Sequence, residues 1–283
     1  MKTLREKMLH EMQRRNYSPR TIKTYISSIA SLSKYYNQSP DKISLDQVKS
    51  YLHHSMVNKG YSTALVNQTI SAVKILHADV LKMTWNPVSI IRPRKEKRLP
   101  VVLSPKEVKA IIQAPLNIKH RAILSLGYSA GLRISEVINL KVEHIDSHRM
   151  QIRVVGGKGR KDRNTLLSKS TLDLLREYYK CYHPKHWLIE GHSYGLSQYS
   201  TSSIRQVLKR ARIKAGIDKA VTYHTLRHCF ATHLLEQGTS LQIIKYLLGH
   251  ASISTTGVYL HVQQYSLDKV VSPMDVNQVD NQS

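Results

Sequence analysis

Residues 224–262 read "HTLRHCFATHLLEQGTSLQIIKYLLGHASISTTGVYLHV". Apolar spacing predicts helices near 224–237 and 240–248 and a short one near 254–260. His224 and Arg227 stand three apart, so both lie on one face of the first turn. Amide donors at a helix N-terminus favour a bound phosphate there. Tyr259 follows His250 by nine positions. The chain has 16 tyrosines against one phenylalanine, and most tyrosines fill core edges or interfaces, so Tyr259 gains meaning only from other residues.

Those residues lie upstream. "AGLRISEVINL", residues 130–140, supplies Arg133, with Glu136 one turn later as a possible orienter. Two arginines can grip the non-bridging oxygens of one phosphate through bidentate bonds, a geometry lysine cannot match. "GGKGRKDR", residues 156–163, sets Lys158 at a hairpin tip, where a lysine can enter a groove and protonate a leaving oxygen. It lacks the Gly-x4-Gly-Lys-Ser/Thr pattern of a nucleotide-binding P-loop. Taken singly, the arginines also suit salt bridges on a basic surface and the lysine a solvated turn. No HExxH, metal-ligand spacing or acidic cluster suggests a metal site among the 15 histidines, so neither metal nor cofactor is expected. Phosphodiester cleavage by such a set takes its nucleophile from the protein. Tyrosine suits that task, because a phosphotyrosine ester retains bond energy and the step can be reversed.

Charge supports a polyanionic partner. Lys and Arg number 43 against 19 Asp and Glu, a net +24 over 283 residues. The excess is shared: 18 basic against 6 acidic residues in 1–98, and 25 against 13 in the remainder. Both halves are therefore expected to touch the same polyanion, nucleic acid or an anionic surface. No apolar run approaches the ~20 residues that span a bilayer. The N-terminal "MKTLREKMLHEMQRR" is a charged helical pattern without an apolar signal core. Cys181 and Cys229 form no disulfide framework, which makes a reducing cytoplasm the default.

The chain divides in two. In "SPRTIKTYISSIASLSKYY", Ser18 caps, Pro19 suits the first turn, and Ile22, Tyr25, Ile26, Ile29, Leu32 and Tyr36 recur at helical spacing. Ser44 and Gln47 have capping-box spacing ahead of Val48, Tyr51 and Leu52. A third helix places Val66, Ile70, Val73, Leu76 and Val80 on one face. These patterns predict a helical bundle over 1–90. A basic linker with Pro93 and Pro100 spans 91–102. A second domain, 103–265, opens at Ser104, Pro105 and Glu107 with a cap, a first-turn proline and a capping box. Helices are predicted near 119–130, 134–141, 168–182 and 201–215. "RMQIRVVGGKGRKDRNTLL" predicts two short strands about its Gly-rich turn. The fold class is mainly α with a small antiparallel β-sheet. In the tail, 266–283, Leu267, Val270 and Val271 precede a polar end; it either docks on a neighbouring protomer or packs on its own domain.

The ordered set Arg133, Lys158, His224, Arg227, His250 and Tyr259 resembles that of the tyrosine recombinases, the lambda-integrase and Xer-type DNA strand-exchange enzymes. The resemblance is most specific over 127–262, and the "SPRTIKTY" bundle is similar to the family's core-binding, SAM-like domain. Tyr223, Cys229 and Leu260 depart from residues common in Xer-type members, at positions outside the set. The resemblance implies a C-shaped clamp on double-stranded DNA and attack by Tyr259 to give a 3′-phosphotyrosyl link. Arg133 and Arg227 would clamp the phosphate, His250 would hydrogen-bond it, His224 would be the acid/base partner and Lys158 the general acid. It also implies a homotetramer on two recombination sites, nucleoid-associated in the cytoplasm, with or without a second recombinase or accessory factor. A type IB-like topoisomerase and a catalytically silent DNA-binding regulator are the competing expectations.

Overall fold

The computed structural model describes residues 3–85, 90–93, 100–156, 162–191, 197–250 and 252–261. The chain divides after Lys97 into two units.

The first unit is built from α1 (Leu4–Arg14), α2 (Pro19–Tyr36), α3 (Leu45–Val57) and α4 (Thr63–Lys74). Its caps are those the sequence predicts. Ser18 Oγ accepts from Thr21 N behind Pro19, and Ser44 and Gln47 bond each other's backbone amides reciprocally. Ile22, Ile29 and Leu32 of α2 are buried with Val48, Tyr51 and Leu52 of α3 and Val66, Ile70 and Val73 of α4. Each such side chain contributes roughly 1.5–3 kcal/mol by leaving water, so the apolar stripes are what hold the bundle. α1 joins them through Met8 and Met12. The helix predicted to run on to Val80 changes character, because Ile75–Val80 is a π-helical segment with His77 buried edge-on to Trp85.

The second unit contains α5 (Pro105–Gln113), α6 (Ile118–Ser129), α7 (Ile134–Ile138), β1 (Ile145–Asp146), β2 (Gln151–Val154), β3 (Arg163–Leu166), α8 (Lys169–Tyr182), α9 (Thr201–Lys214), α10 (Tyr223–Glu236) and α11 (Leu241–Leu248). Two 3-10 turns follow, Ile253–Thr255 and Gly257–His261, where a short helix was expected. α6 lies at the centre, with Ile123, Leu124 and Leu126 wholly buried, and α5, α8, α9 and α10 pack around it. The sheet is antiparallel in the order β1-β2-β3. A third strand therefore joins the expected pair; at two residues it is too short to show alternation. β2 pairs Ile152 with Thr165 and Val154 with Arg163, and all four side chains are buried. A buried arginine in an inward register position requires a partner. Among the described residues, no helix is long and apolar enough to cross a membrane.

Candidate active site

The site is assembled at the N-terminal end of α10. Thr222 caps that helix by accepting from Thr225 N, while Leu226, Cys229 and Phe230 bury its other face. The helix is thereby fixed, and His224, Arg227 and His228 share one side at spacings of three and four. Arg227 is wholly buried. Its Nη1 donates to Gly131 O at 2.6 Å and its Nη2 to Leu248 O, tying the end of α6 to the end of α11. Its Nε has no hydrogen-bond partner. Gly131 holds φ +61, and a Cβ there would meet the Phe230 ring at 2.5 Å, so only glycine lets this carbonyl approach.

Glu136, buried on α7, gathers three arginines. Its Oε1 accepts from Arg133 Nη1 at 2.6 Å and from Arg163 Nη1 at 2.9 Å. Oε2 accepts from Arg163 Nη2 and from the Arg133 backbone amide, both at 2.8 Å. Arg227 Nη1 stands 3.7 Å from Oε2. Burial pushes the Glu136 carboxyl upward, but the Arg163 bonds and charge, with Arg133 behind them, override it and hold the group at about 2. Burial first, then Arg133, pulls Arg227 down to about 9, with Glu136 opposing; the group remains charged at neutral pH. Three guanidiniums against one carboxylate leave an excess of two positive charges. Among the described residues, Glu136 is the only carboxylate within ion-pair distance of any of the three.

Arg163 does a second job. Its Nε donates to Leu247 O at 2.8 Å, which fixes the last turn of α11. Gly249 then ends that helix at φ +61, and a Cβ there would lie 2.9 Å from Arg163 Cδ. The tight turn delivers His250, whose Nδ1 lies 3.0 Å from Oγ1 of Thr256, the residue between the two 3-10 turns. Burial, then Arg227 and Arg133, pushes His250 down to about 3.

Tyr259 is only 1% exposed and packs among Phe230, Leu247 and Leu248. Its hydroxyl lies 3.0 Å from His228 Nδ1. Burial raises the phenol, and Arg227 and Arg133 act in the opposite sense. The ring of His224 stands edge-on to that of His228, with centroids 4.5 Å apart. Lost hydration, then Arg227 and Arg133, lowers His224.

Five of the six predicted residues, Arg133, His224, Arg227, His250 and Tyr259, are thus linked through Glu136, His228 and the α11 terminus. Lys158 lies outside the described residues, as does the tail 266–283. Sequence reasoning passed over Arg163, His228 and Thr256. His228 was legible as the i+4 partner of His224. Arg163 was legible only from the strand register.

A model of the phage integrase family matches residues 101–265, and one of the phage integrase N-terminal SAM-like domain matches residues 4–87. The chain belongs to the phage integrase family. Within that family its relatives are tyrosine recombinases, and it is an enzyme that breaks and rejoins DNA. It is 35% identical over 277 residues to the integrase/recombinase y4qK of Sinorhizobium fredii, covering 98% of this chain and 90% of that one. It is 34% identical over 275 residues to the tyrosine recombinase XerD of Oceanobacillus iheyensis, covering 89% and 91% respectively. The crystal structure of XerA recombinase matches at 29% identity with a TM-score of 0.55, covering 97% of each chain. A lambda integrase dimer bound to a core site shares the fold, with a TM-score of 0.75, 20% identity and coverage of 95% and 98%. These relatives do not favour the topoisomerase and silent-regulator expectations.

Proposed function

We propose that this phage integrase family member is a site-specific recombinase whose nucleophile is Tyr259. The observation that carries this reading is the unbalanced charge beside that tyrosine: Arg133, Arg163 and Arg227 surround Glu136 alone. Arg163 spends both Nη groups on Glu136. Arg133 and Arg227 then hold positive charge that a phosphate would neutralise, and would neutralise best as its oxygens gain charge in the transition state. Fixed guanidiniums in a water-poor site need no reorganisation during the reaction.

Tyr259 Oη attacks the scissile phosphorus, the bond to the 5′ oxygen breaks, and a 3′-phosphotyrosyl link remains. Lys158 gives the leaving oxygen its proton, His250 hydrogen-bonds the phosphate, and His224 is the acid/base partner near the nucleophile. The 5′-hydroxyl of a second duplex reverses the step, so strands exchange without ATP. Residues 1–90 and 103–265 both bind double-stranded DNA, joined by the 91–102 linker, and four protomers act on two recombination sites in the cytoplasm, on the nucleoid. The tail 266–283 docks on a neighbouring protomer. The outcome is integration or excision of a mobile element, or Xer-like resolution.

The test uses a nicked duplex carrying the sequence that the wild-type protein joins in cells. Wild type traps a covalent protein–DNA adduct. Tyr259→Phe binds the same duplex and traps none; an adduct that survives this substitution overturns the assignment.

A further inference from the structure

We propose that Tyr223 is a positioning residue for Arg227: its phenol, seated on Gly127, sets how α10 lies on α6 and so where the guanidinium meets the phosphate. The inference rests on the reading of Arg227 as a phosphate clamp. Gly127 is buried in α6, two residues before that helix ends at Ser129. Its backbone is not left-handed, so conformational freedom does not call for glycine. Alanine would make the better helix. What the position needs is the missing side chain. A Cβ there would lie 2.8 Å from both Cζ and Oη of Tyr223 and 3.1 Å from Cε1. The ring has no room to yield: it is 5% exposed, packs in the core of the second unit, and its hydroxyl donates to Ile123 O at 2.7 Å.

Tyr223 and Arg227 stand one turn apart on α10. Both reach the same neighbour, Tyr223 through Ile123 O of α6 and Arg227 through Gly131 O in the turn that ends it, at 2.6 Å. A helix tied at one point can roll about it, whereas two ties a turn apart fix roll and slide together. Phe230 seats on Gly131 as Tyr223 seats on Gly127, since a Cβ at Gly131 would meet the Phe230 ring at 2.5 Å. Two glycines four residues apart thus receive two rings of α10. Burial, with the charge of Glu136 adding to it, raises the Tyr223 phenol, so the hydroxyl stays protonated and donates. That hydroxyl is spent on Ile123 O and takes no part in the chemistry. Its work is done through Arg227, whose Nη groups are fixed to two carbonyls and whose reach is therefore set by where α10 lies.

The test is single-turnover adduct formation by full-length protein on the same nicked duplex, made with a normal phosphate or a methylphosphonate at the scissile position. The methyl group replaces a charged non-bridging oxygen, so the placing of Arg227 matters less there. Gly127→Ala drives a methyl against the ring and shifts Arg227. Relative to wild type it should be about 10²-fold slower on the phosphate and less than about threefold slower on the methylphosphonate, with duplex affinity unchanged. In a Tyr223→Leu background the added methyl meets no ring, and Gly127→Ala should slow the reaction no further. Tyr223→Phe keeps the ring and loses only the bond to Ile123 O, a carbonyl that retains its helical amide partner. It should be about fivefold slower on the phosphate and unchanged on the methylphosphonate, and it decides alone if Gly127→Ala does not fold. A Gly127→Ala protein within about twofold of wild type, equally slow on both duplexes, or slowed as much beside Tyr223→Leu overturns the proposal. So does Tyr223→Phe at the wild-type rate. Arg227→Ala runs in parallel: if its defect is no larger on the phosphate than on the methylphosphonate, the clamp reading fails. If it is larger and that of Gly127→Ala is not, only the positioning role of Tyr223 falls.

Discussion

The two halves of the site are held by different physics. On the side of α7 and β3, charge does the holding: Glu136 accepts four hydrogen bonds from Arg133 and Arg163, and Arg227 is anchored to two carbonyls at the ends of α6 and α11. On the side of Tyr259, the described side-chain hydrogen bonds are single ones between neutral partners, His228 to Tyr259 in the second 3-10 turn and His250 to Thr256 just before it. Buried charge-assisted networks are expensive to break, whereas one neutral hydrogen bond is worth about 1 kcal/mol. One half is therefore held by a buried charged network, whereas Tyr259 is held by apolar packing among Phe230, Leu247 and Leu248 and only lightly by hydrogen bonds.

That contrast can be broken most severely at Glu136. Glu136→Gln leaves three guanidiniums, those of Arg163 and Arg227 buried, without a carboxylate and should cost about 3–5 kcal/mol in chemical denaturation of the second unit; a loss below about 1 kcal/mol would falsify the network's role. The same carboxylate makes stability depend on acid. Its pKa is lowered by folding, so its contribution is fully present above the ordinary carboxylate value near 4.5 and is lost as pH falls toward about 2. Acid titration of the wild type should therefore show a stability loss on the order of 3 kcal/mol across that window, and Glu136→Gln should flatten it. Arg163→Met removes two bonds to Glu136 and one to Leu247 O, yet leaves Arg133 on the carboxylate. It should cost about 2 kcal/mol, with slower cleavage because the turn carrying His250 loosens. Gly249→Ala forces a side chain onto φ +61 and toward Arg163; calorimetry should register about 1–2 kcal/mol. The smallest effect is expected on the light side: Thr256→Val frees His250 Nδ1 and should cost about 1 kcal/mol, with a few-fold drop in cleavage rate.

Much of this was legible in the sequence because it is local. Ser18–Pro19, Ser44–Gln47 and Ser104–Glu107 announce helix starts, and all three cap as their spacing predicts. Arg133, His224, Arg227, His250 and Tyr259 were legible as an ordered set, with Glu136 as orienter. What was not legible depends on register and on distant approach. Arg163 sits in a run of charges that looks solvated, and it turns inward only because β3 pairs it with Val154. Whether His228 meets Tyr259 depends on where Gly257–His261 packs, 31 residues further along the chain. The π-helical Ile75–Val80 keeps an apolar pattern that a regular helix would share, so spacing alone does not reveal it.

The central claim is that Tyr259 joins to phosphorus while Arg133 and Arg227 grip the same phosphate. Its most direct test is mass spectrometry of the trapped adduct after protease and nuclease digestion. The account predicts a nucleotide on the peptide that contains Tyr259, and none formed by Arg227→Ala protein that still binds the duplex. A nucleotide on any other residue, or an undiminished yield without Arg227, would contradict it.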